Sequence, residues 1–424
     1  MAPVLLILPL VLLILGFPIF LALLVTALVV IYGFTDLPPN VIQTLMFSSL
    51  DSFPLLAVPF FIFAGDVMAR GGIAQRLIEL IMSVVGNIRG SLAVATIGSA
   101  SAFGAMSGSS VACVAAIGKL TLPSLEQGGY GRRYSVSMIT ATGVIDVIIP
   151  PSIPMILYGV TAQQSVTQLF LAGIVPGLII AGGLAVYVIA RAQIRKTPLT
   201  GRVHWREVVV RARSAIWAVF APVLILGGIY GGIFTPTEAA GVACVYSVLV
   251  SVYIYRELTW RDIWQIAIDC SGLIAQILII VVGAGVFSWL ITTSGFPTKL
   301  VAWIDSLDLA TWSLLLTINI VLLIVGSALE PPAAILVLTP LLLPLAHKAG
   351  LDPIHFGLIV TVNLAIGLFL PPFGLNLFAS HALFRVPLTS LYRGVLPFLL
   401  VYLLALILIT YVPAVTLVPL SWMR

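Results

Sequence analysis

Two proline pairs, Pro150-Pro151 and Pro371-Pro372, interrupt apolar segments that are otherwise long enough to cross a bilayer. Proline has no backbone N–H and clashes with the preceding turn, so an α-helix cannot continue through either pair. The carbonyls just upstream lose their helical donors; they belong to Asp146, Val147, Gly367 and Leu368. Broken backbone at membrane depth is tolerated only within protein or beside a watery cavity. We therefore predict a binding site at the breaks, where free carbonyls suit a cation. The N-termini of half-helices starting at Ser152 and Phe373 suit an anion.

A second group of oxygen ligands lies in Ser107-Gly108-Ser109-Ser110, a small polar segment within an apolar run. Hydroxyl and carbonyl oxygens bind hard cations, whereas Gly and Ser also allow membrane helices to pack closely. Because this segment is expected to lie opposite a broken helix, we favour ion binding over packing. The corresponding segment of the second half is Glu330-Pro331-Pro332, in which Glu330 is either an ion ligand or a cap of the following half-helix.

Asp146 is an ionisable residue in the middle of a predicted span, which makes it a functional candidate by default. The alternative is a structural ion pair with Lys119, in the predicted hairpin. Asn363 and Asn376 flank the second break, where each either hydrogen-bonds a substrate or bonds to backbone. The sequence contains no nucleophile–base set, no phosphate loop and no metal-ligand spacing of His or Cys. It therefore predicts neither an enzyme nor a cofactor.

The elements that hold these residues belong to a membrane protein. Of the 424 residues, 61% are hydrophobic and 8% are charged, a balance that a soluble fold could not place on its surface. The net charge of +5 does not indicate a nucleic-acid partner, because the basic residues cluster between apolar spans, chiefly in 191–213. Such loops lie on the cytoplasmic side. The sequence predicts an all-α polytopic membrane protein whose central loop is cytoplasmic.

The chain repeats one plan twice. At a constant spacing of 221 positions, Thr140 matches Thr361, Pro123 matches Pro344 and the two proline pairs match each other. Each half is predicted to have five spans, and this odd number places the halves in opposite orientations. The predicted units are a first inverted repeat, a basic cytoplasmic linker and a second inverted repeat, at 1–190, 191–213 and 214–424.

Each repeat is predicted to contain a re-entrant helical hairpin and a broken helix. Their predicted bounds are 91–122 and 314–346 for the hairpins, and 137–160 and 356–383 for the broken helices. Amphipathic segments at 73–85 and 297–307 are predicted to lie along the membrane surface. In the second half, 260–268 and 275–291 are predicted as separate helices. Residues 4–31 form either one long kinked helix or two short helices.

Several motifs combine across nearly the whole chain. They are Ser107-Gly108-Ser109-Ser110-Val111-Ala112, Ile149-Pro150-Pro151-Ser152, Gly231-Gly232-Ile233-Phe234-Thr235-Pro236-Thr237-Glu238-Ala239-Ala240, and Asn363-Leu364-Ala365-Ile366-Gly367 followed by Pro371-Pro372-Phe373-Gly374-Leu375-Asn376. In this combination the chain resembles the large membrane subunit of tripartite ATP-independent periplasmic (TRAP) transporters, the DctM type. The resemblance implies an elevator-type transporter of the bacterial inner membrane. It would take up an organic acid anion, such as a C4-dicarboxylate or sialic acid, with sodium.

The resemblance also implies partners and a site. The partners would be a small four-helix membrane subunit and a periplasmic substrate-binding protein, besides membrane lipid. The hairpin tips and broken helices would bind sodium and substrate in a transport domain at about 90–162 and 311–385, with a scaffold from the rest. The predicted sodium ligands are Ser107, Gly108, Ser109, Ser110, Asp146, Val147, Pro150, Gly326, Glu330, Pro331, Gly367 and Leu370. The predicted substrate-binding residues are Pro151, Ser152, Asn363, Pro372, Phe373 and Asn376. No metal ion other than sodium is expected.

Two positions depart from the family pattern. Leu370 stands where the family commonly has threonine, and Asp146 stands where it usually has a small residue. Together they leave open a different ion stoichiometry or a contribution from protons. Two other functions also stay open: a self-sufficient sodium–carboxylate symporter of similar fold, and a non-transporting membrane scaffold whose breaks are only kinks. The sequence does not identify the organic acid.

Overall fold

The computed structural model describes residues 1–35, 38, 40–86, 88–199 and 203–423. Every regular element in these ranges is helical. Seven of the described helices are long and apolar enough to cross a membrane, or nine if each of two bent pairs counts as one span. The predicted all-α polytopic membrane fold is confirmed.

The first half of the chain forms eleven α-helices within the described residues. They are α1 (Ala2–Ile14), α2 (Ile19–Phe34), α3 (Asn40–Leu50), α4 (Ala57–Arg70), α5 (Ile73–Ser83), α6 (Ser91–Ser107), α7 (Ser110–Gln127), α8 (Arg132–Thr142), α9 (Ile145–Ile148), α10 (Ile153–Thr161) and α11 (Val166–Ile194). Residues 4–31 thus form two helices. Gly16, at φ +88°, and Pro18 separate them, and α1 packs against α2.

The second half follows the same order. Its α-helices are α12 (Trp205–Ser214), α13 (Ile216–Tyr230), α14 (Pro236–Leu249), α15 (Trp260–Thr293), α16 (Phe296–Ser306), α17 (Thr311–Ala328), α18 (Pro331–Lys348), α19 (Pro353–Gly367), α20 (Leu375–Phe384), α21 (Leu388–Tyr411) and α22 (Ala414–Leu417). Short 3-10 turns occupy Phe53–Leu56 and Val418–Met423, and a π-helical segment occupies Val250–Ile254.

The prediction of two separate helices at 260–268 and 275–291 is wrong, because α15 is one helix of 34 residues. The polar residues that suggested an interruption include Asp269, whose carboxylate accepts a hydrogen bond from Arg70 of α4 at 2.7 Å. This partner compensates the charge, and no proline breaks the helix in this region. In the first repeat the equivalent stretch is divided between α3 and α4, with Pro54 at the interruption.

Both predicted hairpins and both predicted breaks are present. Helices α6 and α7 turn at Gly108, whose φ of +64° is a conformation that glycine adopts without strain. Helices α17 and α18 meet at Leu329 and Glu330. The first break lies between α9 and α10, which bend by 40°, and the second lies between α19 and α20. The peptide bonds Pro150-Pro151 and Pro371-Pro372 are cis.

The two repeats interlock rather than packing side by side. Helix α2 packs along α15, and its counterpart α14 packs along α4. At the centre, the hairpin arm α7 packs on the half-helix α20, and the hairpin arm α18 packs on the half-helix α10. Each hairpin therefore closes over the break of the other repeat, and the tips and breaks converge.

Two ion pairs link the amphipathic helix α5 to the region after the first repeat. Arg76 pairs with Glu257 at 2.9 Å, and Glu79 pairs with Arg211 of α12. Residues 205–214 of the predicted linker are thus helical, with Glu207 in the first turn and basic residues in the last turn, which complements the helix dipole. Residues 200–202, including Arg202, lie outside the described residues.

A first prediction concerns the close contact between α21 and α8. A Cβ at Gly394 would lie 2.0 Å from Ser137 Oγ and 2.9 Å from Ser137 Cβ, so a larger side chain forces the helices apart. We expect Gly394→Leu to lower the free energy of unfolding by about 1–3 kcal/mol. The measurement is thermal melting of the purified protein. Gly241→Leu in α14, where an added Cβ meets nothing within 4 Å, is the control and should melt like the wild type. Equal melting of all three proteins would contradict this packing.

Candidate functional site

A cavity of about 560 Å³ lies where the two hairpin tips and the two broken helices meet α15. The first tip lines it from Gly108 to Ala112, the second tip lines it with Glu330, Pro331 and Pro332, and α15 contributes Leu273 and Ile277. Most of the lining is apolar; the polar side chains among the described lining residues are Ser109, Ser110 and Glu330. A largely apolar cavity with a few placed polar groups is typical of a small-molecule site.

The cavity extends toward one face of the protein. Ala382 and Leu383, at the end of α20, also line it. The carbonyl of the next residue, Phe384, accepts a hydrogen bond from Arg132 Nη2 at 3.0 Å. This end carries the basic loops, so the cavity extends toward the face that charge asymmetry predicts to be cytoplasmic.

Asp146 is fully buried in α9 beneath the first tip. Its Oδ1 accepts a hydrogen bond from the Gly108 N–H at 3.0 Å, and its Oδ2 has no hydrogen-bond partner among the described residues. The alternative ion pair with Lys119 is wrong, because Lys119 is exposed on α7 and the carboxylate turns to the tip. A buried carboxylate oxygen without a donor is costly at membrane depth. It leaves one position at which a cation can bind.

In each repeat, the first hairpin helix passes close to the end of the helix before the break. The close contact is built by different residues in the two repeats. In the first repeat, a Cβ on Gly104 of α6 would lie 2.7 Å from Asp146 Cα. In the second, a Cβ on Gly367 of α19 would lie 2.2 Å from the carbonyl carbon of Gly326 in α17. Asp146 and Gly367 occupy equivalent positions at the repeat spacing of 221. The close approach of these two helices therefore requires glycine on at least one of them. It does not require the Asp146 carboxylate, which is present only in the first repeat.

At the first break, the expectation of a free Val147 carbonyl is wrong. The Ser152 hydroxyl donates to that carbonyl at 2.5 Å and also accepts a long bond from the Met155 N–H at 3.5 Å. Ser152 therefore caps α10 and replaces the donor that Pro151 lacks. Pro150 still cannot donate to the carbonyl of Asp146. Pro151 is buried, and its carbonyl oxygen would lie 3.6 Å from a Cβ built on Gly108.

At the second break, the expectation of free carbonyls at Gly367 and Leu368 is also wrong. The Leu370 N–H donates to the Gly367 carbonyl at 3.2 Å, and the Asn376 N–H donates to the Leu368 carbonyl at 2.8 Å. The Leu370 carbonyl accepts from the Gly374 N–H at 3.0 Å. The chain turns back on itself after the proline pair, which supplies donors that a straight helix would not have.

Glu330 is the N-cap residue of α18, but its side chain makes no capping hydrogen bond. A capping hydrogen bond is therefore absent from the described contacts, although Glu330 does occupy the N-cap position, at the positive end of the helix dipole. The residue is exposed and lines the cavity beside the buried Pro331. Among the described residues that line this cavity, Glu330 is the only acidic one.

The two predicted asparagines have different environments. Asn376 is buried, and its Oδ1 accepts a hydrogen bond from the Ser110 hydroxyl at 3.1 Å, which joins the first tip to α20. Its Nδ2 has no partner among the described residues. Asn363 instead donates to Asn319 Oδ1 at 2.6 Å and to the Ile359 carbonyl at 2.8 Å. Asn363 therefore points to α17 and does not line the cavity.

Pro372 and Phe373 lie apart from the other predicted substrate residues. Both are exposed, and the Phe373 side chain is 62% accessible. The Pro372 carbonyl accepts a hydrogen bond from the Tyr392 hydroxyl at 3.0 Å. Neither is among the described residues that line the cavity. The half-helix α20 begins two residues after Phe373, at Leu375, and its N-cap Gly374 offers no side-chain cap.

Several residues that shape the site were not predicted from the sequence. Leu273 and Ile277 form the wall opposite the tips, and apolar residues that face a cavity have the same composition as those that face lipid. Asn319 was detectable as a polar residue within an apolar helix, and it orients Asn363. The Thr140 hydroxyl donates a hydrogen bond to the Ser380 hydroxyl at 2.7 Å, which joins the two repeats. No local sequence pattern indicates this contact.

Comparisons with known proteins point to one family. The family model described as "Tripartite ATP-independent periplasmic transporter, DctM component" matches residues 6–415. The chain is 41% identical over 378 residues to a C4-dicarboxylate TRAP transporter large permease protein DctM from Pseudomonas aeruginosa, covering 89% of this chain and 88% of the relative. It is 37% identical over 410 residues to the ectoine TRAP transporter large permease protein TeaC from Halomonas elongata, covering 96% of each.

Among solved structures, the YdaH transporter from Alcanivorax borkumensis superposes with a TM-score of 0.65. The match covers 95% of this chain and 97% of that chain at 15% sequence identity. At this identity the similarity concerns the fold alone.

A second prediction concerns the Ser110–Asn376 hydrogen bond, which joins the two repeats. In a double-mutant cycle of Ser110→Ala and Asn376→Ala, we expect a coupling energy of about 0.5–1.5 kcal/mol, the range of buried neutral hydrogen bonds. The measurement is reversible unfolding of the purified protein in detergent. The control cycle pairs Ser110→Ala with Asn319→Ala, whose side chains have no shared partner, and should give additive effects. Additive effects in the first cycle would show that the tip is not held by α20.

Proposed function

The chain belongs to the DctM family of tripartite ATP-independent periplasmic transporters, whose members are large permease proteins, and from this we propose that it couples the uptake of an organic acid anion to sodium. The observation that carries the proposal is the cavity between two hairpin tips and two broken helices. Paired interrupted helices at the centre of inverted repeats are the usual position of substrate and ion sites in secondary transporters.

Asp146 supports a cation site at the first tip. Its Oδ2 has no partner among the described residues, and Ser107 and Ser109 lie next to the Gly108 N–H that holds Oδ1. A cation bound by this carboxylate and by tip oxygens would compensate a charge that is otherwise costly to bury. The carbonyls of Val147, Gly367 and Leu370 each keep a second lone pair for an ion, although one is used by a hydrogen bond.

The charges around the cavity also support the coupling of an anionic substrate to a cation. Glu330 would repel a carboxylate substrate in the same cavity, and a cation between the two removes this repulsion. The first turn of α20, which lines the cavity at Leu375, lacks a side-chain cap and has a positive dipole end. This helix end favours an anion, while the apolar lining favours a carbon skeleton. Asn376, also predicted to bind substrate, is fully buried and is not among the described residues that line the cavity.

Packing supports movement of the site as one body, as in an elevator mechanism. Helix α11 packs along α6, α9 and α19, and α21 packs along α8, α19 and α20. Hydrogen bonds of 2.7 Å also cross between the repeats, from Tyr402 to the Ala141 carbonyl and from Tyr158 to the Pro353 carbonyl. We therefore extend the predicted transport domain, 90–162 and 311–385, to include α11 and α21. The scaffold would be built by α1–α4 and α13–α15, which pack on one another.

A second cavity supports access from the opposite face. It has a volume of about 460 Å³ and is lined by polar residues of the end of α3, of the α3–α4 connection and of the turn after α10, among them Ser49, Asp51, Gln163 and Gln164. Because α11 spans from this turn to the central loop that is predicted to be cytoplasmic, the turn after α10 lies on the periplasmic side in the proposed topology. Ser288 of α15 also lines this cavity. In an elevator transporter, the substrate would enter on this side before the transport domain moves.

The relatives differ in the substrate that their names state, a C4-dicarboxylate in one and ectoine in another. We therefore propose the class of a small organic acid and assign its selection to a periplasmic binding protein. A small membrane subunit would be the second partner, in the inner membrane. The alternative of a self-sufficient sodium–carboxylate symporter has no additional structural support, and neither does a non-transporting scaffold.

The test is uptake into proteoliposomes that contain the purified permease, its small subunit and the binding protein. The acid is chosen as one that shifts the melting temperature of the binding protein. We expect accumulation under an inward sodium gradient, and no accumulation under a potassium gradient or without the binding protein. Equal uptake without the partners would identify a self-sufficient symporter, and no sodium-dependent uptake of any bound acid would contradict the proposal.

A narrower prediction concerns Asp146. We expect Asp146→Asn to raise the sodium concentration for half-maximal uptake by roughly tenfold, because the substitution removes a charge from a polar contact. Hydrogen bonds to charged groups contribute about 1.5–3 kcal/mol, whereas neutral ones contribute about 0.5–1.5 kcal/mol. Glu207→Gln, which neutralises an exposed acid of α12 that lines neither cavity, is the control and should leave the sodium dependence unchanged. If Asp146→Asn transports with the sodium dependence of the wild type, Asp146 is not a sodium ligand.

A further inference from the structure

A separate cleft of about 440 Å³ lies at the basic face, away from the central cavity. One wall is the C-terminal end of α11 and the residues that follow it, Arg191 and 195–198. The other wall is the α7–α8 connection, Gly129, Tyr130 and Gly131. The function proposed above uses none of these residues.

The cleft is strongly cationic. Arg191, Arg195 and Lys196 line it, and no acidic residue is among its described lining residues. In the described part of the chain these three cations form no ion pair with an acid. The nearby Glu126 is already paired with Arg132 at 2.9 Å. Three uncompensated cations around one concave space favour an anion with several oxygens.

Specific contacts hold the two walls of the cleft in position. The Arg191 guanidinium lies 3.4 Å from the ring centroid of Tyr134, and Tyr134 stacks on Tyr130 at 6.0 Å between centroids. Gly129 adopts φ +82°, and an added Cβ there would lie 3.0 Å from Pro198 Cδ, so the two walls touch. These contacts fix the position of one cation and the width of the cleft.

Lys196 occupies a backbone position that usually belongs to glycine. Its φ is +51°, and the helix end is closed by bonds from the Lys196 N–H to the Gln193 carbonyl and from the Thr197 N–H to the Ala192 carbonyl. A left-handed residue just after a helix is most often glycine, because a Cβ is unfavourable there. The lysine side chain is therefore not required by the helix end and is available to the cleft.

Two general effects explain part of this charge but not the cleft. Basic residues are common on the cytoplasmic side, and cations at a helix C-terminus complement its dipole. Neither effect requires a cavity whose opposite wall is two glycines and a tyrosine. That wall also leads into the first turn of α8, whose N-cap Gly131 provides no side-chain cap for the free N–H groups.

We propose that this cleft binds a phosphate group at the cytoplasmic surface, as the headgroup of an anionic phospholipid or as a free phosphate. The cleft lies at the end of α11, one of the helices long enough to span the membrane, which places it where headgroups lie. Binding there would tie the end of the first repeat to the α7–α8 connection.

The experiment uses the purified full-length permease in a neutral detergent, with three variants. Arg195→Gln with Lys196→Gly removes two cleft cations. Arg206→Gln with Arg213→Gln removes two cations from α12, which lies on the same face but does not line the cleft. Arg195→Lys with Lys196→Arg keeps the charge. The probes are phosphatidylglycerol, phosphatidylcholine and inorganic phosphate, followed by melting temperature and by native mass spectrometry.

We expect phosphatidylglycerol, and not phosphatidylcholine, to bind and to raise the melting temperature of the wild type, the α12 variant and the charge-conserving variant. One cation near an anionic headgroup strengthens binding by about fivefold, so the cleft variant should bind roughly thirtyfold more weakly. Without lipid, the cleft variant should melt at the same temperature as the wild type or higher, because glycine relieves the positive φ. A folding defect cannot produce this combination.

A response to inorganic phosphate alone, lost in the cleft variant, would support the proposal with a free phosphate as the source. Equal weakening in the cleft and α12 variants would show only general attraction to a basic face and would overturn the proposal. The absence of any response to phosphatidylglycerol and phosphate in the wild type would overturn it as well.

Discussion

The structure depends on one constraint: backbone that leaves the helix at membrane depth must find new hydrogen-bond partners inside the protein. At the first break, the Ser152 hydroxyl replaces the N–H that Pro151 lacks and bonds the Val147 carbonyl. At the second, the N–H groups of Leu370 and Asn376 turn back to the carbonyls of Gly367 and Leu368. Both breaks are therefore closed turns. The half-helix ends that flank the cavity are held in position before any ligand binds.

This closure explains why the repeats interlock. A break is buried only if another element covers it, and each is covered by the hairpin of the opposite repeat, α18 on α10 and α7 on α20. The bond between Ser110 and Asn376 is the polar part of one such contact. Since the site consists of both repeats, neither repeat can open it alone. The proposed function accordingly assigns the tips and breaks to one moving body.

The features that sequence analysis predicted were those with a local cause. Proline chemistry located both breaks, hydropathy located the spans, and glycine and serine located the first tip. The errors concerned distant partners. The continuity of α15 depends on Arg70, 199 positions away from Asp269. The Asn363 side chain is directed by Asn319, and the carbonyl partners are supplied by residues after each break. Leu273 and Ile277 could not be identified, because hydropathy does not separate a cavity wall from a lipid-facing surface.

The internal repeat also separates what the fold requires from what the site adds. At the position of Gly367, the second repeat needs no side chain, because the backbone of Gly326 fills the space. In the first repeat, Gly104 makes the same room, and the position carries Asp146. Packing therefore does not explain the carboxylate, and its burial with one oxygen unbonded opposes folding. On the proposed function, a cation bound at the first tip would remove that cost. On the proposed function, the first tip then has a fixed charge for its ion, whereas the second tip has Glu330 on the cavity surface, where an ion can also contact the substrate.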